Sequence, residues 1–76
     1  MQQVELTKSQ FLALAERMAN EALRKHLEKV ELSAFGYSMC LVDYELGIEY
    51  ILKADKDELW DFALKVLALS DYIVMR

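Results

Sequence analysis

The feature that most constrains this chain is an alternating stretch in its middle. From position 40 to position 54 every even-numbered residue is apolar, whereas most odd-numbered residues are charged, namely Asp43, Glu45, Glu49 and Lys53. A period of two residues is typical of a β-strand with one buried face. The stretch is too long for an ordinary strand, so we expect it to fold back on itself as a hairpin.

Gly47 marks the predicted turn. A three-residue hairpin loop needs a left-handed residue, and a loop of residues 45–47 places glycine there. This loop keeps the apolar side chains of both strands on one face, whereas a two-residue loop would pair Tyr44 with Glu49 and mix the faces. The predicted pairs are Tyr44 with Ile48, Val42 with Tyr50, and Cys40 with Leu52.

A helix precedes the hairpin. Thr7 and Gln10 form a capping-box pattern that places the N-cap at Thr7. An amphipathic pattern then continues to Lys29, with the apolar residues on one broad face. These apolar residues are Phe11, Leu12, Leu14, Ala15, Met18, Ala19, Ala22, Leu23 and Leu27.

A second helix follows the hairpin and begins near Asp55 or Asp57, where acidic residues favour the positive end of a helix. Its apolar residues cover about 220° of the helical wheel, so we expect it to be almost enclosed. Residues 30–34 alternate weakly and indicate a short extra strand before a turn near Gly36. Residues 72–75 favour a final strand over a continuation of the second helix.

These elements predict one small α+β domain over residues 1–76, with two helices packed on one face of a small antiparallel sheet. A chain of 76 residues buries only about 60% of its unfolded surface. Its single cysteine excludes an internal disulfide, and with one histidine it cannot supply the four ligands of a structural zinc. The apolar fraction of 55% is above average, which favours burial against a protein partner or in a homodimer.

Charge is unevenly distributed along the chain, whose net charge is −4. The acidic excess lies in residues 31–61, which suits a basic partner and disfavours direct binding of nucleic acid. In the predicted register Asp43 faces Glu49, and like charges that face each other destabilise a hairpin. The pair indicates either a functional acidic array or a solvated face.

The odd-numbered face of the hairpin carries apolar residues at its open end. If both helices cover the even face, these residues form an interface with an apolar centre and a polar rim; alternatively, another element of the monomer covers them. The predicted partner-binding residues are therefore Asp43, Glu45, Glu49, Asp57, Asp61, Met39, Leu41 and Ile51.

Two residues invite a catalytic interpretation. His26 suits a general base or ligand, but a histidine near a helix C-terminus is also favourable for the helix dipole. Cys40 suits a nucleophile, but a thiol on the core-facing side of the hairpin has a raised pKa and is inert. We predict no catalytic residue, no metal and no cofactor.

The N-terminus lacks a signal-peptide pattern and no run is long enough to span a membrane, which favours a cytoplasmic protein.

The sequence therefore favours a non-enzymatic protein-binding module that inhibits or regulates a larger protein. The alternative is an acidic decoy that occupies the nucleic-acid site of a defence or regulatory enzyme, as small phage or plasmid proteins do. A small enzyme that uses Cys40 or the carboxylates is a third hypothesis.

Overall fold

A computed structural model describes residues 1–25 and 30–76 of the chain. Its elements are β1 (Gln2–Glu5), α1 (Lys8–Lys25), β2 (Val30–Phe35), β3 (Ser38–Asp43), β4 (Ile48–Lys53), α2 (Lys56–Leu67) and β5 (Ile73–Met75). The strands form one sheet in the order β1-β4-β3-β2-β5. The α+β class is confirmed, but the sheet is mixed because β1 and β5 run parallel to their neighbours.

Of the two edge strands, β5 was predicted from the sequence and β1 was not. The predicted final strand is confirmed as β5, where the amide of Arg76 donates to the carbonyl of Leu32 at 2.8 Å. The predicted strand before Gly36 is confirmed as β2. We did not predict β1, which has only four residues. Directly after β1, the amide of Leu6 donates a hydrogen bond to the carbonyl of Ile51 at 2.8 Å.

The N-terminus of α1 confirms the predicted capping box. The amide of Thr7 donates to Oε1 of Gln10 at 3.0 Å, and the amide of Gln10 donates to Oγ1 of Thr7 at 3.3 Å. These two bonds satisfy amide groups that the first turn leaves unpaired. The predicted continuation of the helix to Lys29, which includes His26 and Leu27, lies outside the described residues.

One face of the sheet carries both helices and the core between them. Phe11 of α1 and Phe62 of α2 pack edge to face, with ring centroids 6.1 Å apart. Beneath them lie fully buried side chains of the sheet, among them Leu32, Met39 and Leu41. Two helices on one face were predicted, and among residues 1–25 and 30–76 no helix lies on the opposite face of the sheet, which we call the face without helices.

The predicted register of the central hairpin is wrong by one residue. Cys40 pairs with Ile51 and Met39 pairs with Leu52, because the loop has four residues, 44–47, instead of three. The side chain of Asp43 stabilises this longer loop, since its Oδ1 accepts from the amide of Leu46 at 3.1 Å. The left-handed glycine is confirmed, as Gly47 has φ +68°.

Because of the one-residue shift, the side chains of β3 lie on the opposite faces of the sheet from those predicted. Met39 and Leu41 were predicted to be uncovered, yet both have 0% of their surface exposed. The shift places these two larger side chains in the core, where they neighbour Leu52 and Tyr50, and leaves Cys40 and Val42 on the face without helices. The gain in buried apolar surface favours the observed register over the predicted one.

Helix α2 is less enclosed than the sequence indicated. Trp60 and Leu64 expose 63% and 60% of their surfaces, although the helix begins as predicted with Asp55 as the N-cap. Asp55 makes no side-chain capping bond. The sheet reaches only one side of the helix, so the apolar residues on its outer side stay in water.

Candidate functional site

The most unusual surface feature lies where the β2–β3 turn meets the start of α2. We call the exposed residues Phe35 and Trp60, which line one cleft, the aromatic patch. Phe35 is 90% exposed at the end of β2, and Tyr37 is exposed in the turn that follows. Single exposed apolar residues are common, but two large aromatic side chains that line one cleft favour an interaction site.

Local structure accounts for the position of each member of the patch. Gly36 has φ +63°, which a two-residue hairpin turn requires, so Phe35 directly precedes a tight turn whose two loop residues are Gly36 and Tyr37. The carbonyl of Tyr37 accepts from the amide of Ala54 at 3.1 Å, which ties this turn to the segment that leads into α2. Trp60 and Leu64 are one helical turn apart and therefore share a side of α2.

A cleft of about 250 Å³ lies within the aromatic patch. Its apolar lining comes from both sides, with Ala34, Phe35 and Gly36 on the strand side and Leu59 and Trp60 on the helix side. Lys56 and Asp57 stand at the same opening. The cleft is thus an apolar surface with a charged rim, which is the usual anatomy of a protein interface.

The predicted site residues do not form one surface. Met39 and Leu41 are in the core, and Asp43 is engaged in the hairpin turn. Ile51 and Glu49 lie on the sheet face without helices, where Oε2 of Glu49 accepts from Nε2 of Gln3 at 3.4 Å.

The other three predicted residues are exposed at two further places. Glu45 is in the loop of the central hairpin, and Asp57 and Asp61 are on α2. Of the eight predicted residues, only Asp57 lines the cleft.

The predicted facing pair of carboxylates is also wrong. Asp43 is opposite Ile48, and Glu49 is opposite Val42. Because neighbouring positions of a strand point to opposite faces, the one-residue shift places Asp43 and Glu49 on different sides of the sheet. The acidic array proposed from the sequence is therefore not formed by these two residues.

The residues that sequence reasoning missed are Phe35, Tyr37, Trp60 and Leu64. The sequence held a signal for Trp60, although we assigned it to the interior: it lies about 60° on the helical wheel from Asp57, which was assigned to water. Phe35 and Tyr37 flank a glycine that was correctly assigned to a turn, and turn residues lie on the surface. The high apolar fraction predicted an interaction surface, but it did not indicate which apolar residues are exposed.

Cys40 lies on the sheet face without helices and not in the core as predicted. Its Sγ is 2.8 Å from Oγ of Ser33. Partial burial raises the pKa of Cys40 above its ordinary value, and the nearby Glu49 acts in the same direction, against a lowering by the Ser33 hydrogen bond. A thiol that stays protonated is a weak nucleophile.

Two further searches concern metals and membranes. Within residues 1–25 and 30–76, no three His, Cys, Asp or Glu side chains are grouped so that they could hold a metal ion. Neither helix, as far as the structure describes them, combines the length and apolar character needed to cross a bilayer.

Comparison with known proteins adds no assignment. No protein-family model matches this chain, and neither the curated proteins nor the solved structures that were searched contain a match. The surface described above is therefore the basis for the function that follows.

Proposed function

We propose that this chain is a non-enzymatic protein-binding module that inhibits or regulates a larger protein partner with a basic surface. The observation that carries the proposal is the exposure of Phe35 and Trp60 around one apolar cleft. Tryptophan and tyrosine are enriched among the residues that dominate binding energy at interfaces. Covering them with a partner removes a large apolar area from water.

The setting of Cys40 supports a role without catalysis. Its hydrogen bond to Ser33 and its raised pKa disfavour a nucleophile, and the carboxylates are spread over several surfaces. A lone thiol suits a reducing compartment, so we place the protein in the cytoplasm.

An affinity-capture experiment tests the proposal. The tagged chain, its Trp60→Ala variant and a Tyr44→Ala control are used to capture proteins from the native cell, and each captured protein is quantified. Tyr44 is as exposed as Trp60 but lies in the hairpin loop at 44–47. Circular dichroism first verifies that all three chains are folded.

We expect the wild type and the Tyr44→Ala control to capture one or more proteins in similar amounts. The Trp60→Ala variant should capture at least about tenfold less of the same proteins. A purified partner must then bind the wild-type chain directly and change in activity when bound. Equal retention by all three chains would contradict a role of the aromatic patch. Turnover of a substrate by the chain alone would contradict the non-enzymatic part.

The acidic decoy remains a second candidate on charge alone. The net charge of −4 supports it, whereas the separation of Asp43 and Glu49 removes the pair on which it depended. A decoy that neutralises several basic residues must lose affinity steeply with salt. Binding that depends on Trp60 and changes little between low and high salt would favour the aromatic patch instead.

A further inference from the structure

A second cleft, with a volume of about 400 Å³, lies between α1 and the sheet. We call it the α1 cleft. Its lining residues come from one face of α1, from β4 and from the segment that follows β1, and they are Leu6, Gln10, Ala13, Leu14, Arg17 and Tyr50. The volume falls within the ~300–1,000 Å³ of typical small-molecule sites. The α1 cleft shares no lining residue with the cleft beside Trp60.

The charge of the α1 cleft differs from that of the chain as a whole. The chain has a net charge of −4, whereas this cleft is lined by one cation, Arg17, and by no carboxylate. Glu16 and Glu21 line an adjacent cleft together with Arg17, but none of the salt bridges among residues 1–25 and 30–76 involves Arg17. Its guanidinium is therefore available to an anion that enters the α1 cleft, and guanidinium binds carboxylates through two parallel hydrogen bonds.

Two further groups can donate hydrogen bonds to such an anion. The capping box holds Oε1 of Gln10 at the amide of Thr7, so the two donors on Nε2 of Gln10 remain for another partner. The hydroxyl of Tyr50 takes part in none of the side-chain hydrogen bonds of the described part of the chain. A carboxylate has about four acceptor sites and can use all three groups.

The rest of the lining is apolar. Leu14 is buried in the core, and Leu6 and Tyr50 pack against that core while part of their surface remains in water. An apolar body that lies on Leu6, Ala13 and the ring of Tyr50 would remove this surface from water. The lining thus combines an apolar floor with a small number of hydrogen-bond donors, which is the usual composition of a small-molecule site.

We propose that the α1 cleft binds a small monocarboxylate with an apolar body, whose carboxylate pairs with Arg17 and whose body packs on Leu6 and Tyr50. One negative charge matches the one cation, whereas a polyanion would meet the net negative charge of the chain. This site goes beyond the proposed function, because it is separate from the aromatic patch and requires no protein partner.

The test uses three small probes and nuclear magnetic resonance. The first probe, 3-phenylpropanoate, carries both features; 3-phenylpropanamide has the same shape without the charge, and acetate has the charge without the apolar body. Amide chemical shifts locate each probe on the chain and give its affinity. The variants are Arg17→Gln and Tyr50→Phe. The matched control is Arg24→Gln, because Arg24 is an exposed arginine of the same helix that does not line the α1 cleft. Circular dichroism verifies that each variant is folded.

We expect 3-phenylpropanoate to saturate the wild type at low salt with a dissociation constant of about 1 mM or below, and its shifts should concentrate at Leu6, Ala13 and Arg17. The amide and acetate should bind at least about fivefold more weakly. Arg17→Gln should weaken binding of the carboxylate at least about fivefold but leave binding of the amide unchanged, a difference that a purely structural role would not produce. Tyr50→Phe should weaken carboxylate binding about twofold or more, and Arg24→Gln should leave it unchanged.

Four outcomes would overturn the inference. These are binding of the amide as tight as that of the carboxylate, shifts centred outside the α1 cleft, failure of 3-phenylpropanoate to saturate below about 10 mM, or an equal loss of affinity with Arg24→Gln and Arg17→Gln. The proposed function has a separate readout, because protein capture that depends on Trp60 does not require the α1 cleft. Either conclusion can therefore fail while the other stands.

Discussion

Truncation of Leu41 tests the register of the central hairpin and thus the placement of every side chain on it. Leu41 has no exposed surface and lies between Leu32 and Tyr50 in the sheet. Leu41→Ala removes three carbon atoms, each worth about 0.8 kcal/mol in transfer free energy, and leaves a cavity. Together these effects are expected to lower the free energy of unfolding by about 2–5 kcal/mol.

The neighbouring Val42→Ala variant is the matched control. Val42 lies on the sheet face without helices and is only half-buried, so its truncation is expected to cost clearly less, about 1 kcal/mol. A domain of this size has a total stability of about 4–11 kcal/mol, so the two variants should differ visibly in urea unfolding followed by circular dichroism.

The order of the two effects decides the question. A larger loss for Val42→Ala than for Leu41→Ala would refute the observed register and support the three-residue loop. If Leu41→Ala does not fold, Leu41→Val provides a milder change at the same position, and its loss should still exceed that of an exposed substitution.

Two other predictions concern backbone conformation and thiol chemistry. Gly47→Ala should lower the free energy of unfolding by about 1 kcal/mol or more, because φ is +68° and only conformational strain, not a clash, opposes the new Cβ; an unchanged urea midpoint would contradict this. Cys40 should react with a thiol reagent more slowly than a free cysteine at pH 8, because its raised pKa reduces the thiolate fraction. The reaction rate should still be rising when the pH exceeds the ordinary thiol pKa. A rate that levels off at a pH below the ordinary thiol pKa would show that the pKa of Cys40 is lowered.

Several local features were predictable because short-range interactions determine them. The capping box of Thr7 and Gln10 formed as expected, since both partners lie within one helical turn. Gly47 adopted the left-handed conformation, since few other residues do so without strain. The α+β class followed from periodicities of two and 3.6 residues, which reflect the geometry of strands and helices.

The candidate site was much less accessible to prediction. Asp57 was named and lies at the cleft, whereas Trp60, in the next turn of the same helix, was assigned to the interior. The periodic pattern shows that α2 is apolar over most of its circumference, but it does not show how much of that circumference the sheet can cover. Phe35 was missed because the predicted strand stopped at residue 34, whereas β2 continues to Phe35, on the face that Ser33 and Cys40 share.

What the sequence determined by itself is the set of elements: two amphipathic helices, an alternating hairpin that turns at Gly47, and a C-terminal strand. The tertiary structure decided the register of that hairpin, the addition of β1 beside β4, and the exposure of Trp60 and Leu64. The physical reason is the separation along the sequence of the residues that interact. Caps, turns and periodicity depend on residues a few positions apart, whereas register and exposure depend on which distant side chains compete for one small core.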